Sequence, residues 1–172
     1  MPLTLDAHPF PLIRSGGLFL LLVGLSITAG AVAPRRLWAS FIACVIIASA
    51  VVALTAIRLT APLGRPTAFQ LESLLVAVCI EGIAIGWLGS RQRAATERQR
   101  ILSILLVVGG HFFLMAPALG PLVVVLGLSS VVNAAAGLRA TTTPWATFWV
   151  IDGVLKAGIG GIMFWYAPRA TW

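Results

Sequence analysis

Apolar residues in this chain fall into six long blocks, and all of the proline and nearly all of the arginine lie outside them, in the short separators and at the two ends. The blocks run from about Gly16 to Ala33, Leu37 to Leu59, Phe69 to Leu88, Ile101 to Ala116, Leu122 to Leu138 and Trp145 to Trp165. Within each block the apolar residues are continuous rather than striped. That marks helices solvated by lipid, not one-sided helices of a water-facing fold. As α-helix, spans of roughly 16–23 residues reach about 24–34 Å, enough to cross a hydrocarbon core. The pattern predicts an all-α, polytopic integral membrane protein, a bundle of six transmembrane helices forming one domain over residues 1–172.

The separators differ in kind. Pro34-Arg35-Arg36 stops the first block, and Thr60 to Thr67, with Pro62, Gly64 and Pro66, reads as a loop. Gly89 to Arg100 holds Arg91, Arg93, Glu97, Arg98 and Arg100 and belongs in water or among headgroups. No charge separates the fourth and fifth blocks, but Pro117, Gly120 and Pro121 favour a tight reversal over one broken helix. Arg139 to Pro144 is a short polar loop. Seven arginines (35, 36, 91, 93, 98, 100, 139) lie on one side and four (14, 58, 65, 169) on the other. The positive-inside rule then places both termini outside the cytoplasm, in a cytoplasmic (inner) membrane. Trp38, Trp87, Trp145 and Trp149 form the expected inner aromatic belt, with Trp165 and Tyr166 in the outer one. The first block, with Arg14 before it and Ala29-Gly30-Ala31 near its end, has the outline of a signal peptide. Arg35 and Arg36 directly after it suit a retained span better.

Composition sharpens this. The chain is 59% hydrophobic and 10% charged, where a soluble domain carries about 25% charged residues. Its mean hydropathy is +1.01. The net charge of +7 is carried by arginines at block ends, which fits anionic headgroups and argues against nucleic acid. Cys44 and Cys79 sit inside blocks as small buried hydrophobes, with no CxxC or Cys/His cluster to hold a metal. No phosphate loop, nucleophile elbow, HExxH or nucleotide fingerprint occurs, so no cofactor is expected.

The candidate chemistry lies in the polar residues inside the blocks. Asp152 and Lys156, at i and i+4, share one helix face. They are either a self-neutralising ion pair or a site where Asp152 exchanges protons or cations under the influence of Lys156. Trp145 and Trp149 lie on the same face, as interfacial anchors or as an aromatic wall for an organic cation. Glu81 lies about 10 Å from the inner end of its block, as does Asp152, while His111, Asn133 and Lys156 lie about 15 Å in. If these helices pack together, the layer closes into a pocket. Glu81 has no partner in its own helix. Glu72 is half a turn away on the far face, near the outer end, and is expected to pair with Arg58 or Arg65. His111 can shuttle protons or simply pack, and Asn133, with Ser129 one turn earlier, can join helices or touch a ligand. Gly82 and Gly86, then Gly153, Gly158, Gly160 and Gly161, are read as sites of close helix approach.

Ile80-Glu81-Gly82-Ile83 echoes Ile151-Asp152-Gly153-Val154, and two blocks share LLVG or LLVVG and an Ala-Pro end. A three-plus-three inverted repeat would produce such echoes, but the unequal offsets favour chance. The leading expectation is a protein that binds and translocates a small solute, cation or proton. Glu81 and Asp152 would bind it, Lys156 and His111 would set their charge, and Asn133 and Trp149 would contact the ligand. The alternative is an intramembrane enzyme with Glu81 and Asp152 as catalytic acids toward a lipid-soluble substrate such as an isoprenoid. A third reading is a non-catalytic membrane subunit. Partners reduce to the bilayer, a small-molecule, cation or lipid-soluble ligand, and further copies of the chain.

Overall fold

A computed structural model describes residues 8–30, 37–92 and 94–166. Its six α-helices are α1 (Ile13–Gly30), α2 (Leu37–Thr60), α3 (Ala68–Arg91), α4 (Glu97–Leu119), α5 (Pro121–Arg139) and α6 (Trp145–Trp165), with a short 3-10 turn at Ala61–Leu63. Each helix is long and apolar enough to cross a membrane, and no strand occurs among the described residues. The chain is a multi-pass membrane protein built as a six-helix bundle. Pro34, Arg35, Arg36, Arg93, Arg169, Ala31 and the side chain of Trp38, which carry part of the orientation, belt and cleavage arguments, lie outside the described residues.

Several boundaries move for identifiable reasons. α4 begins at Glu97, so Glu97, Arg98 and Arg100 are helical rather than loop residues. Thr96 is the cause. Its hydroxyl accepts from Gln99 N at 3.3 Å while Gln99 Oε1 accepts from Thr96 N at 3.0 Å, satisfying two orphan amides at the helix start. Thr67 and Gln70 repeat the device at the start of α3. α1 begins at Ile13, three residues before its expected start, and takes in Arg14. Pro117 lies within the last turn of α4 instead of flanking the reversal. Gly120 makes that reversal with φ +91°, a left-handed backbone open to glycine, and Pro121 starts α5, where its missing amide hydrogen is not needed.

The packing divides the helices into two classes. α1, α4, α5 and α6 form the core, while α2 leans on α1 and α3 on α4. Among described side chains, α2 buries only Ala48 and α3 only Gln70 and Ala77. α1 against α6 is the most extensive contact of all. It is a glycine seam: a Cβ on Gly17 would lie 2.8 Å from Gly160 O, and one on Gly153 would lie 2.9 Å from Gly24 O. The two antiparallel helices thus touch backbone to backbone at seven-residue intervals. A Cβ added to Gly82, Gly86, Gly158 or Gly161 would meet nothing within 4 Å, so the close approach expected of them does not occur.

Two apolar clusters fill the core. Ile27, Leu102, Leu105, Phe148 and Trp149 belong to the one nearer the α3–α4 loop. Ile13, Phe112, Leu126 and Met163 belong to the other. On α5 and α6 the polar residues Ser130, Asn133, Asp152 and Lys156 fall between the members of these clusters. Arg98, expected at headgroups, closes the first end. Its guanidinium donates to Thr143 O and Gly137 O at 2.5 Å each, and also to Ala140 O, so it covers the last carbonyls of α5 with a cation where the helix dipole favours one. At the opposite end Gln70 Nε2 donates to Pro9 O (2.8 Å) and Pro117 O (3.3 Å), tying the start of α3 to the chain entering α1 and to the end of α4.

Candidate functional site

Asp152 and Lys156 are both buried, at 0% and 2% exposure, and Lys156 Nζ donates to Asp152 Oδ2. The ammonium also lies 5.5 Å from the centroid of the Phe112 ring on α4, within cation–π range. A buried ion pair is stable only when its remaining hydrogen-bonding capacity is met. Here Asp152 Oδ1 is buried with no hydrogen-bond partner.

Glu81 is not isolated. The packing of α3 on α4 brings Glu81 Oε2 to 3.6 Å from His111 Nε2. The other ring nitrogen, His111 Nδ1, lies 2.5 Å from Val108 O. A carbonyl only accepts, so Nδ1 carries a proton and donates it. In the neutral ring Nε2 is then the lone-pair nitrogen, and it faces the carboxyl. His111 is 7% exposed, whereas the Glu81 side chain retains 23%. Glu81 and His111 thus meet across α3 and α4, and the Asp152–Lys156 pair of α6 reaches α4 through Phe112, the residue after His111.

Two other residues from the sequence reading have structural partners. Asn133 Nδ2 donates to Phe148 O at 2.8 Å, joining α5 to α6. Trp149 is 2% exposed and donates its indole hydrogen to Ile27 O on α1 at 3.0 Å. It is a core residue three positions before Asp152, not an interfacial anchor, because α1 covers the face that a bare helix would show to headgroups. Glu72 is exposed, and no ion pair to Arg58 or Arg65 forms among the described residues. Cys44 and Cys79 are free, half-buried and exposed respectively.

Sequence reasoning singles out Ser129 and passes over Ser130. Ser130 is the buried one, at 0% exposure, and its hydroxyl has no hydrogen-bond partner. The available signal is its spacing: Gly127, Ser130, Asn133, Ala134 and Gly137 form the buried face of α5 at intervals of three and four.

No group of three or more metal-ligating side chains of His, Cys, Asp and Glu occurs among the described residues. No curated protein and no solved structure matches the chain. A family model does match, over residues 6–171. The chain, six apolar helices with a buried polar layer, belongs to DUF6609, a family of unknown function.

Proposed function

We propose that this protein binds and translocates a proton or small cation through the layer formed by Glu81, His111, Lys156 and Asp152. The observation that carries this is the Glu81–His111 geometry. Nδ1 is committed to a backbone carbonyl, and Nε2 faces a carboxyl at 3.6 Å. A proton on Glu81 can pass to Nε2 after a few tenths of an ångström of closure, leaving a carboxylate beside an imidazolium. Neither state strands a lone charge in lipid, because the two groups neutralise each other when charged. Glu81 keeps some exposure and Asp152 none, so the layer leads from an accessible group to an enclosed one. The arginine bias favours the cytoplasmic membrane, with the α3–α4 loop on the cytoplasmic side.

The partial exposure of Glu81 on a helix most of whose side chains face outward also suits the second reading, in which a lipid-soluble substrate approaches an acid from the side. Proteoliposomes holding a trapped pH indicator separate the two. Under an imposed pH gradient or membrane potential, the parent protein should move protons across the bilayer. Glu81→Gln should fold with an unchanged melting temperature and lose that flux, because an amide cannot titrate. Undiminished flux in the Gln variant removes Glu81 from the path. An absence of flux in the parent removes translocation and leaves the enzyme reading.

A further inference from the structure

Successive residues of an α-helix point about 100° apart, so His111 and Phe112 on α4 meet different neighbours. His111 meets Glu81 of α3. Phe112 is turned toward α5 and α6: a Cβ on Gly127 would lie 3.2 Å from Phe112 Cβ, and the ammonium of Lys156 lies 5.5 Å from the centroid of its ring. The same ring lies 4.4 Å from the imidazole of His111, centroid to centroid, with 35° between the planes. One aromatic side chain therefore touches a member of each polar pair.

No polar contact does the same. His111 bonds to Val108 O and faces Glu81, and Lys156 donates to Asp152. No hydrogen bond or ion pair passes from one pair to the other among the described residues. Phe112 is 3% exposed and belongs to the apolar cluster that includes Leu126 and Met163. A benzene ring has no acidic hydrogen and no lone pair, so it neither gives nor takes a proton. A path that uses both pairs is interrupted at this residue. Apolar constrictions of this kind close pores by excluding water.

We infer that Phe112 is the gate between the two pairs. Its ring, seated against the ammonium of Lys156, keeps the Glu81–His111 side apart from the Asp152–Lys156 side, and its displacement admits the water that joins them. This rests on the proposed translocation and names the residue that controls it. The cation–π contact is the latch. The ring must leave the ammonium in order to move, and such a contact is strongest where both partners are desolvated, as they are here. A residue that only fills space would lower flux when trimmed, in step with the loss of folded protein. Trimming a gate raises the flux carried by each folded molecule.

Proton flux into proteoliposomes, driven by an imposed membrane potential and normalised to folded protein, tests this. Phe112→Leu keeps an apolar side chain and loses the flat face. Its flux should exceed the parent's about tenfold or more, the scale in rate of a desolvated cation–π contact removed. Phe113→Leu, at the adjacent position with 41% exposure, should stay at the parent's rate. Glu81→Gln added to Phe112→Leu should abolish the gain. Flux in Phe112→Leu at or below the parent's overturns the gate and retains translocation. A gain that survives Glu81→Gln overturns it too, because the leak then runs elsewhere. An absence of flux in both the parent and Phe112→Leu removes translocation and the gate with it. Flux in Phe112→Leu alone retains the gate, with the parent closed at rest. Should Phe112→Leu fail to fold, Phe112→Met, an unbranched apolar side chain without a ring, gives the same readings.

Discussion

At the scale of the residue, the sequence discloses which groups are anomalous and withholds which of them meet. A charge in an apolar block stands out without any structure, so Glu81, Asp152 and Lys156 are legible, and the i,i+4 spacing already implies that Asp152 and Lys156 touch. The approach of Glu81 to His111 is not legible, because it depends on α3 lying against α4. Ser130 is passed over, and Trp149 is given an interfacial alternative, for a related reason. In a uniformly apolar helix the polar contrast between faces is weak, and a tryptophan near a block end looks interfacial until α1 is found covering it. The ion pair yields a thermodynamic prediction. Asp152→Asn alone strands the ammonium of Lys156 at 2% exposure, a kind of loss worth about 3–5 kcal/mol. Asp152→Asn combined with Lys156→Met removes both charges and should recover most of that. Thermal melts of the purified proteins in detergent decide the matter. Parent-like melting of both variants would mean that water reaches the pair.

At the scale of the element, the six blocks translate directly into six helices, and the errors lie at their ends. Hydropathy assigns the charged residues near the α3–α4 loop to water, yet Thr96-Glu97-Arg98-Gln99 is a Thr-x-x-Gln capping signal, and so is Thr67-Ala68-Phe69-Gln70. Local chemistry here outranks hydropathy. Glycine counting is less reliable than glycine spacing. The pairs that matter, Gly17 with Gly160 and Gly24 with Gly153, lie seven apart on each helix, whereas the Gly82-xxx-Gly86 motif faces nothing. Gly160→Ala would set a Cβ 2.5 Å from Leu21 N and 2.7 Å from Gly17 O, both backbone atoms that cannot yield alone. It should destabilise the protein by about 1–3 kcal/mol, the usual scale of overpacking. Gly161→Ala, one residue on and facing open space, should be neutral or slightly stabilising through helix propensity. Comparable melting of the two alanine variants would contradict a backbone-to-backbone seam.

At the scale of the whole molecule, the architecture is a core of four helices with two outriggers. The contacts partly obey an exchange of halves: α1 with α2 corresponds to α4 with α5, and α1 with α6 to α4 with α3. The extensive join of α5 to α6 has no equal between α2 and α3, so the faint echo in sequence has only partial support in packing. Orientation is open to direct measurement. Single cysteines introduced between Gly89 and Arg100, in a background lacking Cys44 and Cys79, should resist impermeant thiol reagents in intact cells and react after permeabilisation. Labelling from outside would invert the topology and every depth tied to it. The glycine seam has a consequence for how the molecule is made. α1 is the earliest of these helices to leave the ribosome and α6 the last, yet each is the other's main partner. Throughout synthesis α1 must wait in the bilayer with its glycine face turned to lipid or to a chaperone. The polar layer cannot be assembled before α6 arrives carrying Asp152 and Lys156. An unfinished chain holds Glu81 and His111 without Asp152 and Lys156, so any activity that needs all four begins only once α6 has joined α1.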